Sequence, residues 1–158
     1  MAREAAMRSA RKAAGAKSRA AAGYSGTPLA RKLGIAAGDE MLLVGAPPNY
    51  RELVAPLPEG VRFVSRMGYD TDIVHVFATR RDRLEKAIAT TQAKLRPDGV
   101  IWASWPKKSS RVPTDITEDT VREIALPLGL VDVKVCAVDD VWSGLKLVVR
   151  RENRSARP

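Results

Sequence analysis

The apolar residues of this chain come in short unbroken runs, and this constrains its fold more than any other feature. Met41-Leu-Leu-Val-Gly-Ala46, Asp72-Ile-Val-His-Val-Phe-Ala78 and Val100-Ile-Trp-Ala-Ser-Trp105 are apolar at nearly every position instead of every second one. A strand wetted on one face alternates apolar and polar residues, whereas a strand apolar throughout has to be covered on both faces, as in parallel sheets. Between the last two runs the spacing predicts a long polar-faced helix from about Asp82 to Leu95, ended by Arg96-Pro-Asp-Gly99. Strand, helix and strand in this order call for a mainly parallel sheet in a three-layer α/β domain.

The remaining segments fill in the same plan. Thr27 is read as a cap with Pro28 at the first helical position, and Leu29, Leu33 and Gly34 mark a short lid or entry helix closed by a glycine. Pro47-Pro48 stops the first strand, Tyr50 to Ala55 reads as one helical turn, and Val61-Arg-Phe-Val64 as a second short strand. Thr117, followed by Glu118 and Asp119, has the hydroxyl and first-turn acids of a helix start, and that helix stops near Gly129. Val131 to Val138 and Leu145 to Val149 are expected to form a closing antiparallel hairpin around Asp139-Asp-Val-Trp-Ser-Gly144.

At 158 residues, 45% hydrophobic and 28% charged, the chain suits one globular domain. A single Cys136 cannot form an internal disulfide, and no apolar run nears the roughly 20 residues of a membrane span, which points to a reducing, cytoplasmic setting without membrane insertion. The net charge of +9 is concentrated at the ends. Residues 1–22 carry six cations against Glu4, and residues 150–158 carry four against Glu152, so the body between is close to neutral. The expected organisation is a disordered, basic, Ala- and Arg-rich arm over 1–22, one domain over 23–151 and a basic tail over 152–158. The arm holds nothing larger than Met among its aliphatic residues and cannot build a core. Its acid-poor composition also fits an organellar transit peptide. Such tails bind nucleic acid weakly and without sequence preference.

Several phrases carry a family likeness. Asp72 through Leu-Arg-Pro-Asp-Gly99 to Trp-Pro-Lys107, with the terminal hairpin, resembles the second half of the class I S-adenosylmethionine-dependent methyltransferase fold, itself Rossmann-like. Tyr24-Ser-Gly-Thr-Pro-Leu-Ala-Arg-Lys-Leu-Gly34, Ser104-Trp-Pro-Lys-Lys-Ser-Ser110, Pro113-Thr-Asp115 and Val138-Asp-Asp-Val-Trp-Ser-Gly-Leu-Lys146 are similar to a bacterial family of uncharacterised domains, numbered three thousand and fifty-two, over residues 23–151. That family brings no activity with it. The methyltransferase likeness implies a glycine-rich turn after the first strand and an acid ending the second, to hold the cofactor. This chain has Gly45-Ala-Pro-Pro48, where two prolines remove backbone donors, and Arg66 where the acid belongs. The cofactor therefore stays open, and a non-catalytic fold relative is preferred to an active methyltransferase.

Ligands of open parallel sheets gather beyond the carboxyl ends of the strands. This rule makes neighbours of Gly45–Asn49, Ala78–Arg81 and the loop Ser104–Arg111. The candidate ligand-binding residues are Asn49, Trp105, Lys107, Lys108, Ser109, Ser110, Arg111 and Trp142, whose ammonium, guanidinium, hydroxyl and indole groups suit a phosphate or carboxylate beside a helix start. Trp105 and Trp142 stand at strand ends, where an aromatic ring serves a pocket or a core alike. His75, the only histidine, sits inside an apolar strand and reads as a hydrogen-bonded structural group; isolated Cys136 and the paired acids Asp139 and Asp140 give no metal site, and no residue stands out as catalytic. The expected function is a binding or regulatory module with an anion-binding loop, partnered by an anionic small molecule or a protein. The alternatives are a methyltransferase with an atypical cofactor pocket and a nucleic-acid accessory protein acting through its tails.

Overall fold

A computed structural model describes residues 26–154, so the arm expected over 1–22 and the end of the tail lie outside the described residues. A helical turn, α1 (Leu29–Lys32), precedes strand β1 (Glu40–Val44), and a short helix α2 (Tyr50–Val54) leads to β2 (Arg62–Val64). Strand β3 (Ile73–Phe77) follows β2 with no helix between them. Helix α3 (Arg81–Gln92) joins β3 to β4 (Val100–Pro106), α4 (Glu118–Ala125) joins β4 to β5 (Leu130–Ala137), and β6 (Trp142–Val149) returns before a last turn, α5 (Arg151–Arg154).

The strands form one six-stranded sheet in the order β2-β1-β3-β4-β6-β5. The first four are mutually parallel, and β6 lies antiparallel between β4 and β5. The mainly parallel α/β sheet with an antiparallel C-terminal hairpin is thus present. Its strands are apolar throughout because each feeds two cores, successive side chains pointing to opposite faces. On one face Leu42, Val74, Val76, Ile101, Ala103 and Trp105 meet Leu84 and Ile88 of α3 and Val121 and Ile124 of α4. On the other, Met41, Ile73, Phe77 and Trp102 meet Ala30 and Leu33 at α1 and Tyr50 and Val54 of α2. Thr117 starts α4 through a reciprocal capping box with Thr120, which satisfies two backbone donors at that end.

Three expectations are corrected. The first helix starts at Leu29, with Pro28 itself in the cap position and no side-chain cap from Thr27. It is a packed cover and not a lid, because Ala30 and Leu33 are buried and the Leu33 carbonyl accepts a 3.0 Å hydrogen bond from Trp102 Nε1. Helix α3 is shorter than its polar pattern, ending at Gln92, after which Lys94 and Leu95 donate to carbonyls only three residues back. The closing hairpin is tighter than expected, since Trp142, Ser143 and Gly144 belong to β6, paired with Pro106, Trp105 and Ser104. Among the described residues no helix is long and apolar enough to cross a membrane.

Candidate functional site

The sheet order reverses at β1: β2 lies on one side of it and every later strand on the other. A crevice opens beyond the carboxyl ends of the strands at such a switch point. Here it measures about 390 Å³ and lies between the turn after β1 at Gly45, the β3 end at Phe77 to Arg80, Arg83 of α3, and Trp142. The expected neighbourhood of the Gly45 and Ala78–Arg81 loops is therefore real.

Each wall has a local cause. Gly45 has φ +70°, and a Cβ there would lie 2.6 Å from the Phe77 carbonyl oxygen, so the turn can lie against β3 only as glycine. Trp142 meets Phe77 edge to face at 5.1 Å. The Asp139 carboxylate fixes it by accepting from the backbone N–H groups of Val141 and Trp142, both at 2.8 Å, which is the turn-forming role open to an acid at that place. The β3–α3 turn is held by Thr114, whose hydroxyl donates to the Thr79 carbonyl at 2.7 Å, and by Asp115, which accepts from Arg81 N–H at 2.7 Å at the start of α3.

The charge in the crevice is cationic. Arg80 pairs with Asp82 at 3.2 Å, and this hydrogen bond holds the exposed Asp82 carboxyl below its ordinary pKa. Arg83 makes no ion pair among the described residues, so its guanidinium remains available to a ligand. No carboxylate lines this crevice among the described residues.

Of the eight candidate ligand-binding residues, Trp142 alone lines the crevice. Trp105 is 7% exposed and belongs to the core under α3 and α4, on the opposite face from Trp142. Asn49 is exposed ahead of α2 and supplies no side-chain cap. Lys107, Lys108, Ser109, Ser110 and Arg111 form a tight turn closed on itself. Lys107 N–H donates to the Val141 carbonyl, Ser110 Oγ donates to the Lys107 carbonyl at 2.6 Å and accepts from Val112 N–H, and Arg111 adopts the left-handed region at φ 63°. Lys108, Ser109 and Arg111 are exposed on this turn. Its next residues, Thr114 and Asp115, brace the crevice wall, so the segment connects strand to helix and shapes the site from behind.

Beneath this edge lies the histidine that its apolar strand marks as a hydrogen-bonded structural group. The His75 ring accepts or donates on both nitrogens, 2.9 Å from Tyr50 Oη and 2.8 Å from Ser104 Oγ, and stacks on Phe77 at 4.3 Å. Burial drives the imidazole pKa down to about 3 and pushes the Tyr50 phenol above its ordinary range. His75 is thus a neutral, fully satisfied structural histidine, as its apolar strand implies, but nothing in the spacing names Tyr50 and Ser104 as its partners.

No family model matches the chain, and no curated protein matches it. Solved structures do. A precorrin-6y C5,15-methyltransferase from Geobacter metallireducens superposes with TM-score 0.52 at 14% identity, covering 77% of this chain and 85% of that one. An S-adenosylmethionine-dependent methyltransferase from Clostridium acetobutylicum gives TM-score 0.52 at 8% identity, covering 77% and 87%. A putative type 11 methyltransferase from Sulfolobus solfataricus gives 0.51 at 12%, covering 71% and 85%. The chain has a methyltransferase-like fold; at such identities the likeness concerns the fold alone.

Whether the residues present fit S-adenosylmethionine is a question of donors and charge. The Gly45 turn is filled by the chain's own β3 backbone, and Pro47 and Pro48 offer no N–H. Strand β2 ends at Val64 and is followed by Ser65 and Arg66, with no carboxylate at that end to hold a ribose diol. A sulfonium cation would meet Arg80 and Arg83. The crevice and its turn do not fit this cofactor.

Proposed function

We propose that this protein is a binding module on a methyltransferase-like fold, and that its switch-point crevice takes a small anionic ligand. One observation carries the reading: at the place where open α/β sheets bind ligands, the described lining supplies two guanidinium groups, an indole face and no carboxylate. Arg83 meets the anion directly, and Arg80 joins it by turning from Asp82. Trp142 and Phe77 give an apolar wall for the rest of the molecule.

A second reading, a methyltransferase with an atypical cofactor pocket, has support in the fold itself, a mainly parallel sheet with antiparallel β6 beside β4 that superposes on solved methyltransferases. The fold neighbours favour it, and the chemistry of the Gly45 turn and of Arg66 opposes it. Calorimetric titration separates the two. Pyrophosphate is expected to bind the protein in a manner lost on Arg80→Ala/Arg83→Ala, while S-adenosylmethionine at millimolar concentration gives no heat. A saturable S-adenosylmethionine isotherm would establish the second reading instead.

A further inference from the structure

The two faces of the sheet are not covered equally. Helix α3 lies against β3 and β4, and α4 against β5 and β6. The connection from β2 to β3 has no helix, so the part of this face formed by β1 and β2 lacks a covering element of its own. A groove of about 620 Å³ runs there, between the end of β2 and the outer side of α3. Its floor is apolar, with Leu42, Val44 and Met67 from the sheet side and Ala87 from α3.

Its rim is basic. Arg66 stands on the β2 side, and Lys86 and Lys94 on the α3 side, with Arg83 at the end shared with the crevice. None of the four makes an ion pair among the described residues, although α3 elsewhere pairs Arg81 with Glu85 and Arg80 with Asp82. The lining includes no acid.

The distribution of these charges decides what the groove fits. At 1.5 Å per residue, Arg83 stands roughly 14 Å from the end of α3 at Gln92, with Lys94 just past that end, too far to converge on one phosphate or carboxylate. A nucleic-acid backbone would match the cations and leave the floor of Leu42, Val44 and Met67 unfilled. An amphipathic helix satisfies both, laying its apolar face on the floor and its acids along the rim. The N-terminal arm of the chain has the wrong sign of charge, and the apolar residues of α4, the chain's own acid-bearing helix, are spent on its core.

We infer that this groove docks an acidic amphipathic helix of a partner protein, which supplies the cover missing over β1 and β2. The groove adjoins the anion crevice at Gly45 and Arg83, whereas Lys86, Lys94 and Arg66 take no part in the crevice.

The test uses the full chain and a fluorescent 16-residue helical peptide with leucines at i, i+3, i+4 and i+7 positions and glutamates on the flanks. Binding is read by anisotropy, and its footprint by hydrogen exchange. The expected result is saturable binding that protects the α3 amides, weakens as salt rises, and drops at least about tenfold in Lys86→Glu/Lys94→Glu, with a scrambled peptide of equal charge binding no better than that variant. Arg66→Glu, on a separate element, is a second variant expected to weaken binding while leaving the pyrophosphate isotherm intact. No binding by the peptide, equal binding by the scrambled one, or indifference to both charge reversals would overturn the proposal. So would a DNA duplex that competes for the groove and loses its affinity in the same variants.

Discussion

His75 Nδ1 lies 2.9 Å from the Tyr50 hydroxyl, with Ser104 Oγ 2.8 Å from the other ring nitrogen, so the single histidine is pinned between helix α2 and strand β4. Its pKa falls to about 3 on burial, from about 6.5 in the unfolded chain. Between these values the unfolded chain binds the extra proton and the folded chain does not. The stability that neutral His75 contributes is therefore complete above about pH 6.5 and is lost as pH falls toward 3. Urea unfolding from pH 7 to pH 4 should show a loss with a slope of up to about 1.4 kcal/mol per pH unit from this group. His75→Phe should be less stable at pH 7, since it leaves two buried hydroxyls unpaired at about 1–3 kcal/mol each, but its slope in this window should be flatter. An unchanged slope would contradict the buried neutral ring.

At Gly45 backbone conformation and space act together. Gly45→Ala should destabilise by at least about 2 kcal/mol, because an L-residue costs roughly 1–2 kcal/mol in the left-handed region before any clash with the Phe77 carbonyl. Gly26 has a similar φ and open space around it, so Gly26→Ala should cost only the conformational part. Denaturation midpoints of the two variants would compare the effects directly.

Asp115 is expected to act as a remote cap for α3. Asp115→Ala should lower stability by about 1 kcal/mol, and Asp115→Asn should recover most of it because the amide oxygen can still accept from Arg81 N–H. Thermal melts of the three proteins measure this. Equal loss in Asn and Ala would show that charge and not hydrogen-bond acceptance holds the turn.

The two edge tryptophans should separate. Trp105→Ala should cost roughly 3–5 kcal/mol as a core truncation, and half-buried Trp142→Ala much less, with its main effect on ligand binding. Comparable destabilisation in both would place Trp142 in the core as well.

These contrasts show what the sequence makes legible. Unbroken apolar runs at 72–78 and 100–105 imply two-sided burial, and the structure has that sheet. Thr117 announces α4 because its capping box is local, within three residues. The start of α3 is legible in its polar pattern to within a residue, but its cap, Asp115, is not, because it lies 34 residues away. The same limit conceals the partners of His75, since Tyr50 and Ser104 are each more than 20 residues from it. The carboxyl edge is legible from topology alone, whereas the basic run at Lys107–Arg111 is contiguous in the chain without lining the crevice. Contiguity in a tight turn spreads side chains outward, and the cations that share a crevice, Arg80 and Arg83, are gathered by strand order instead.

Trp142 lines the switch-point crevice and so reports on its occupancy. Its indole N–H resonance should be followed in a two-dimensional NMR titration, assigned by Trp142→Phe. Pyrophosphate is expected to shift this resonance saturably, Arg80→Ala/Arg83→Ala is expected to abolish the shift, and S-adenosylmethionine is expected to leave it in place. A Trp142 signal that ignores pyrophosphate, or one that moves and saturates with S-adenosylmethionine, would contradict an anion-binding crevice on this methyltransferase-like fold.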